Sequence, residues 1–475
     1  MPFNSLTFIL FFCAVLVVHS LPVPPSFRKV NLLFASYLFY AAWEVRYTTL
    51  LVFSTLVNFG AATLIQMWDE RVGARRAILW ASVVLNFGLL AGFKYGQDLL
   101  VAWGVLGERF GLGYSPPKVT ILLPIGLSFF TLQVMSYTIE VYRRQLKPAS
   151  FLDLALFVSF FPVLLAGPIL RAGQFLPQCA RLRRATGPEF SWGLALFTLG
   201  LFLKVTLADH LLSPVARQVY DVAVRPDALS SWTGTLAFAV QDYCDFAGYS
   251  TCALGIGLCL GFVLPPNFKA PLASIGFRDV WQRWHITLVA WMRDYVFNPL
   301  GGVFKGYARA AANVMIVMLL IGIWHGATAT FLIFGFLHGT FLIGEIVLQR
   351  TRLRSLRLWR WPIGKLFLWA VTVTLCLIAF VFYRATNLEQ AGWILASMVG
   401  HYHKASSFGL ADHDLVIALV VVECLFISHW LVRDIDLETA VARIPWWSVS
   451  IGLALMLAAI TLSTGESQDF LYFRY

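Results

Sequence analysis

Long apolar stretches alternate with short polar ones along almost the whole chain, and this alternation predicts a series of membrane-spanning helices. A helix needs about 20 mostly apolar residues to cross the ~30 Å hydrocarbon core of a bilayer. Stretches of this kind recur from one end of the chain to the other. The predicted spans are 5–23, 30–43, 47–66, 77–96, 119–142, 190–209, 232–262, 364–383, 414–432 and 446–464, and a further apolar run extends from Ala311 to Val347.

One apolar stretch carries residues that interrupt a helix. The sequence FFPVLLAGPILR, which begins at Phe160, contains Pro162, Gly167 and Pro168. These residues break helical hydrogen bonding, which is tolerated at membrane depth only where protein or a cavity receives the backbone. We therefore predict a re-entrant segment over 150–168 that does not cross the membrane.

The composition agrees with the hydrophobic pattern. Of the 475 residues, 59% are hydrophobic and 13% are charged, and the mean hydropathy is +0.73. A water-soluble globule carries roughly 25% charged residues, so this class is excluded. The chain is predicted to be an all-α polytopic integral membrane protein, one helical bundle without a soluble domain. The seven cysteines lack paired or metal-ligand spacing, so we interpret them as small core residues and predict no metal site.

The net charge of +11 fits two interpretations, nucleic-acid binding and the cytoplasmic loops of a membrane protein. Each basic cluster lies just outside an apolar stretch, as the positive-inside rule requires. The clusters are at 28–29, 71–76, 143–147, 181–184 and 350–360. We therefore predict a multi-pass protein in contact with membrane lipids and without a nucleic-acid partner, with its N-terminus and the segments 401–414 and 465–475 outside.

The stretch WQRWHITLVAWMRDYVFNPLGG, from Trp281 to Gly302, combines a helical period with unusual polarity. Its aromatic and apolar residues recur every three or four positions, which predicts one amphipathic helix ending at the glycines. An interfacial helix at the lipid headgroups is one interpretation. That interpretation does not account for His285 on the apolar face, because a buried histidine requires a partner or a cavity.

A second polar island, IGIWHGATATFLIFGFLHG, places two histidines inside the apolar run that begins at Ala311. Ionisable groups at membrane depth are costly and usually line a functional cavity. Flanking glycines allow neighbouring helices to approach closely. We expect His325 to lie well inside the membrane, whereas His338, later on a continuous apolar helix, is interpreted as a structural histidine.

Several ordered motifs resemble the membrane-bound O-acyltransferase (MBOAT) family, especially its bacterial branch of alginate O-acetylation and teichoic acid D-alanylation proteins. The resemblance covers most of the chain. The motifs include NLLFASYLFYAAW at Asn31, LPIGLSFFTLQVMSYTIEVYR at Leu123, FFPVLLAGPILR at Phe160, DYCDFAGYSTCALGIGLCLGF at Asp242, FRDVWQRWHITLVAWMRDYVFNPLGG at Phe277, IGIWHGATATFLIFGFLHG at Ile321 and FVFYRAT at Phe380. Departures from the family pattern are modest, at Cys244 and Thr330.

The resemblance implies a fold and a site. Residues 1–475 are expected to form one domain, a helical bundle with re-entrant helices and a central funnel or tunnel. Its N-terminal helices would occupy about 1–145, the catalytic core about 150–350 and the C-terminal helices about 360–475. His325 of the W-H-G motif is the expected catalytic residue and His285 its companion. A neutral imidazole has the right basicity to take a hydroxyl proton during acyl transfer.

The resemblance also implies substrates. We expect no bound cofactor and an acyl donor such as acetyl-CoA, with Trp284 and Trp324 at the substrate site. Arg283 and Arg293 suit the phosphates of an anionic donor; alternatively they anchor lipid headgroups or neutralise Asp279 and Asp294.

By the same resemblance, the final acceptor is an extracytoplasmic polysaccharide, and a separate extracytoplasmic protein accepts or transfers the acyl group. The bacterial cytoplasmic (inner) membrane is the expected location. Two other functions remain open at this point, namely D-alanyl transfer to a teichoic acid-like polymer and transport without acyl-transfer chemistry.

Overall fold

The computed structural model describes residues 1–111, 121–222, 224–351, 361–401, 408–463 and 471. Within those residues the chain is helical and contains no β-strand, which confirms the predicted all-α class. Two compact units are present. Unit 1 comprises Met1–Leu194 with Ala253–Pro265, and unit 2 comprises Ala195–Cys252 with Pro266–Tyr475.

Unit 1 contains the N-terminal helices, whose positions follow the predicted spans. They are α1 (Leu6–Ser20), α2 (Pro25–Ala41), α3 (Thr48–Met67), α4 (Val72–Arg109), α5 (Leu127–Tyr142), α6 (Phe151–Ser159), α7 (Phe161–Leu164) and α8 (Ala172–Ala180), and α9 (Gly187–Leu201) begins in this unit. The largest difference is α4, which was predicted over 77–96 but has 38 residues. It rises about 57 Å, so it extends well beyond a bilayer core.

The predicted interruption at 150–168 is present. Helix α6 ends at Ser159, and α7 starts after Phe160 with Pro162 in its first turn. Nine residues of α6 rise only about 14 Å, roughly half the thickness of the hydrocarbon core. The backbone is covered by protein. A Cβ at Gly126, which has a φ of +80°, would overlap the carbonyl oxygen of Leu164.

Unit 2 contains the remaining helices. A π-helical segment (Phe202–Leu212) joins the end of α9 to α10 (Ser213–Tyr220), and α11 (Ala228–Cys259) ends in unit 1. The others are α12 (Phe277–Arg283), α13 (Ile286–Met292), α14 (Tyr307–His325), α15 (Ala329–Leu348), α16 (Pro362–Arg384), α17 (Leu388–Met398), α18 (Asp412–Leu431), α19 (Leu437–Val441) and α20 (Trp446–Leu462).

The single amphipathic helix predicted from Trp281 to Gly302 is wrong. Helix α12 ends at Arg283, the backbone turns at His285 with a φ of 43°, and α13 begins at Ile286. A π-helical segment over Arg293–Phe297 follows. The break is held from outside the stretch, because the Asn267 carbonyl accepts the Ile286 amide proton at 2.9 Å. The hydrophobic period within the stretch gives no sign of a hydrogen-bond partner that lies outside it.

The continuous apolar helix expected through His338 is also wrong. The run from Ala311 to Val347 forms two helices, α14 and α15, which are separated by the turn at Gly326–Thr328. The predicted role of the glycines is confirmed. A Cβ at Gly322 would overlap the carbonyl oxygen of Phe331, and a Cβ at Gly335 would overlap that of Met318.

Seven helices in the described part of the chain are long and apolar enough to cross a membrane. They are Val45–Met67, Val72–Arg109, Gly187–Tyr220, Tyr307–His325, Ala329–Leu348, Pro362–Arg384 and Asp412–Leu431. Helices α1 and α20 are apolar but shorter, at 15 and 17 residues. The orientation derived from the basic clusters stays a prediction.

Candidate active site

His325 is the last residue of α14 and lies in a cluster of aromatic rings. Only 6% of its surface is exposed. The rings of Phe331 and Phe334 on α15 have centroids 6.2 and 6.0 Å from its imidazole, and Tyr383 on α16 is closer, at 5.0 Å. Because Gly326 ends α14 immediately after the histidine, the two helices that follow in the chain supply the walls around it.

His285 occupies the break between α12 and α13 and is 1% exposed. Its left-handed backbone is unfavourable for a residue with a Cβ, and such strain persists only where the surroundings impose it. The ring of Phe246 on α11 stands edge-on to the imidazole, with centroids 4.6 Å apart. Burial lowers the pKa of His285 to about 3, so this ring is neutral at physiological pH.

The two histidines flank one indole ring. The Trp324 centroid lies 5.0 Å from that of His325 and 5.8 Å from that of His285. Both ring pairs are arranged edge to face, with interplanar angles of 75° and 62°. The fold therefore gathers His285, Trp324 and His325, which the sequence analysis selected from two separate motifs, into one buried group.

Tyr383 is a site residue that the sequence analysis did not select. Its hydroxyl oxygen lies 3.2 Å from Nδ1 of His325. The motif FVFYRAT contributed to the family resemblance, but nothing in its spacing indicated a contact with a histidine 58 positions earlier. Only the packing of α16 against α15, which brings Tyr383 to the end of α14, reveals it.

Arg283 is held within a network of hydrogen bonds and ion pairs. Its guanidinium donates to Asp279 at 2.7 Å, to the Arg433 carbonyl at 2.6 Å, to the Lys269 carbonyl at 3.2 Å and to Asp434 at 3.3 Å. The side chain is 11% exposed. A donor phosphate would have to displace these acceptors. In the structure Arg283 instead links α12 to the segment after α18.

Arg293 differs in that it remains accessible. It begins the π-helical segment, pairs with the neighbouring Asp294 at 2.7 Å, and is 61% exposed. Its predicted contact with an anionic donor stays a prediction, and the alternative partner Asp294 is the one seen here.

A pocket of about 80 Å³ lies beside the histidine cluster. Its wall is almost entirely apolar and includes Trp281, Trp284, Phe334, His338 and Phe380. Phe334 also contacts the His325 ring, so one layer of aromatic side chains separates the pocket from that histidine.

His338 lies in the wall of this pocket among aromatic rings. The centroid of its imidazole is 5.2 Å from that of Trp281 and 4.6 Å from that of Phe334. Neither of its ring nitrogens has a hydrogen-bond partner among the residues that the structure describes.

Comparison with known proteins places these residues in a family context. A family model described as MBOAT, membrane-bound O-acyltransferase family, matches residues 118–386, a range that contains His285, His325 and Tyr383. The peptidoglycan O-acetyltransferase of Helicobacter pylori is 33% identical over 84% of this chain and 80% of that protein.

Two further relatives differ in how much of the chain they match. The probable alginate O-acetylase AlgI of Pseudomonas syringae pv. tomato is 35% identical over 88% of this chain and 80% of that protein. The teichoic acid D-alanyltransferase of Bacillus subtilis is 27% identical, over 48% of this chain and 60% of that protein.

Proposed function

Because the chain belongs to the membrane-bound O-acyltransferase family, we propose that it transfers an acetyl group from a cytoplasmic thioester to hydroxyl groups of a polysaccharide outside the membrane. The family resemblance inferred from the motifs is confirmed. The chain is a multi-pass membrane protein and an O-acyltransferase. The identity of the acyl group, the donor and the partner protein form the proposal.

Acetyl transfer is favoured over D-alanyl transfer by the extent of the similarity. The relatives named as O-acetyltransferase or O-acetylase match 84–89% of the chain at 33–35% identity. Those named as teichoic acid D-alanyltransferase match less than half of it, at 27–28% identity. The names of the O-acetylating relatives give peptidoglycan and alginate as their acceptors, so we adopt a polysaccharide as the acceptor class for this chain.

The buried pair of histidines beside Trp324 is the observation that carries the proposal. In the proposed reaction, His325 removes the proton from an acceptor hydroxyl as its oxygen attacks the thioester carbonyl carbon. The carbon–sulfur bond then breaks, and the thiolate takes that proton from His325, which restores the neutral imidazole. His285, neutral because of its burial, donates a hydrogen bond to the carbonyl oxygen as negative charge develops there.

The apolar pocket suits the arm of a thioester donor such as acetyl-CoA. Trp284 and Phe380 on its wall would pack against methylene groups, and only the layer that contains Phe334 separates the pocket from His325. In this proposal Arg293, which is exposed at the start of the π-helical segment, would meet the donor phosphates. The separate extracytoplasmic partner rests on the family resemblance alone.

Substitution of the proposed base tests the reaction. In cells with matched amounts of membrane-inserted protein, His325→Ala should reduce polysaccharide acetylation by about 10²- to 10⁴-fold, because general-base catalysis is lost. His413→Ala is the matched control, since His413 is 75% exposed on α18 and should retain wild-type acetylation. Near-normal acetylation by His325→Ala would exclude this mechanism.

A further inference from the structure

The contact between Tyr383 and His325 assigns the tyrosine a role in the same reaction. We propose that Tyr383 is the positioning residue of His325, which holds Nδ1 of the imidazole and thereby leaves Nε2 as the nitrogen that exchanges the proton. This inference rests on the proposed function, because it presupposes that His325 is the base. The carrying observation is the 3.2 Å separation between the tyrosine hydroxyl oxygen and Nδ1.

Both ends of this contact are held in place. Tyr383 is 3% exposed, and Phe331 and Phe334 lie 5.2 and 5.1 Å from its ring. The same two phenylalanines contact the imidazole of His325. The tyrosine and histidine rings are therefore enclosed by shared neighbours, which limits the rotation of either ring.

The end of α16 is anchored independently of the aromatic cluster. Arg384, the residue after Tyr383, forms an ion pair and a hydrogen bond with Asp221. The Ala385 amide also donates to the Val381 carbonyl at 2.9 Å, which closes the last turn. The hydroxyl of Tyr383 is thus presented to His325 from a fixed backbone, as a positioning role requires.

The direction of the hydrogen bond decides which nitrogen is basic. In a neutral imidazole one ring nitrogen carries hydrogen and the other carries a lone pair. When Nδ1–H donates to the tyrosine oxygen, the lone pair is on Nε2, which can accept the hydroxyl proton. After that transfer both nitrogens carry hydrogen, and the tyrosine oxygen still accepts from Nδ1–H. Tyr383 therefore stabilises the protonated intermediate without itself gaining or losing a proton.

The aromatic enclosure increases the importance of this contact. Hydrogen bonds are electrostatically stronger where the local dielectric constant is low, and an unpartnered polar group is costly there. Loss of the tyrosine oxygen would remove this acceptor from Nδ1–H in the protonated state. The barrier to proton transfer should rise, whereas the binding of the donor should change little.

The conservative substitution Tyr383→Phe tests this role, since it keeps the ring and removes the hydroxyl. Purified full-length protein in lipid nanodiscs is assayed with acetyl-CoA as the donor probe and a soluble hydroxyl acceptor. We expect kcat to fall about three- to tenfold, the usual effect of losing one hydrogen bond, with the donor KM unchanged. The matched control Tyr220→Phe removes another buried hydroxyl of unit 2, which is 2.9 Å from Thr235, and should leave kcat unchanged.

A spectroscopic measurement separates positioning from a general structural effect. In protein labelled with ¹⁵N-histidine, the imidazole signal that is missing from His325→Ala identifies His325. Tyr383→Phe should shift its two nitrogen resonances towards a different tautomer ratio, whereas Tyr220→Phe should leave them unchanged. Unaltered resonances, a wild-type kcat, or an effect confined to KM would each overturn the assignment of Tyr383.

These outcomes are distinguishable from failure of the proposed function. If His325→Ala retains transfer, the base assignment falls and the inference falls with it. If His325→Ala is inactive while Tyr383→Phe matches the wild type, only the positioning role is lost.

Discussion

At the scale of single residues, burial determines the charge of the site. His285 is neutral because burial, with only 1% of its surface exposed, makes the imidazolium unfavourable and lowers its pKa from the usual 6.5 to about 3. A neutral ring can donate a hydrogen bond to a developing oxyanion and does not compete with His325 for a positive charge. The same burial makes the folded state sensitive to acid.

Burial of His285 should make the stability of the folded protein depend on pH. Between pH about 3 and 6.5 the unfolded chain binds a proton at His285 that the folded chain does not bind, so the free energy of unfolding rises with pH across this window. His285→Asn should therefore lose less thermal stability than the wild type when the pH is lowered from 7 to 4. Melting temperatures in detergent measure the difference. His413→Asn, an exposed control, should follow the wild-type slope, and equal slopes for all three proteins would contradict the burial argument.

The two arginines selected from the sequence should respond differently to substitution. Arg283→Gln breaks ion pairs with Asp279 and Asp434, and we expect it to destabilise the protein by about 1–3 kcal/mol. Arg293→Gln should leave the melting temperature unchanged because Arg293 is largely exposed.

The same pair of variants tests the proposed donor contact. Arg293→Gln should raise the donor KM at an unchanged kcat, and the wild-type KM should rise with salt because exposed charges are screened. If neither the substitution nor salt changes the donor KM, the donor phosphates do not bind at Arg293.

At the scale of helices, the site depends on how closely α14 and α15 approach. Their glycines meet backbone carbonyls of the opposite helix, so any side chain there would separate the segments that carry His325 and Phe334. Gly335 lies one position after Phe334 and faces the Met318 carbonyl. The geometry of the aromatic cluster therefore depends on Gly335 having no side chain.

A pair of glycine substitutions on α15 tests this dependence. Gly335→Ala should lower both the melting temperature and acyl transfer, because the new Cβ overlaps the Met318 carbonyl oxygen. Gly344→Ala should be neutral, or stabilise by about 0.5–1 kcal/mol, because nothing lies within 4 Å and alanine favours helix. Thermal melts and kcat of both variants provide the comparison. Equal behaviour of the two would show that the close approach is unimportant.

The sequence predicted helices better than it predicted their interruptions. Proline and glycine indicated the break after α6, because they act through their own backbone. The break at His285 has no such indicator, since the partners that hold it are the backbone groups of Asn267 and Lys269. Tyr383 was not predicted as a site residue for a similar reason, because its contact with His325 joins positions 58 apart in the sequence. Local pattern reveals what a residue does to its own segment and not which distant segment it meets.

At the scale of the whole molecule, orientation in the membrane gives the proposed reaction its direction. A cytoplasmic donor and an external acceptor require that α16 run outward from the basic cluster at 350–360 and that α18 return inward. Of the segments predicted to be outside, residues 402–407 and all of 465–475 except residue 471 lie outside the described residues. Other exposed positions at the ends of these helices are therefore better sites for a test.

Accessibility of two introduced cysteines would establish that orientation. Glu389 is exposed at the start of α17, after α16, and Glu438 is exposed on α19, after α18. A membrane-impermeant maleimide should label Glu389→Cys in intact spheroplasts, whereas Glu438→Cys should react only after permeabilisation. The protein without an added cysteine gives the background from Cys13 and Cys424, which are exposed in the isolated chain. The reverse pattern would place the basic loops outside and would contradict the proposed path of the acetyl group from a cytoplasmic donor to an external acceptor.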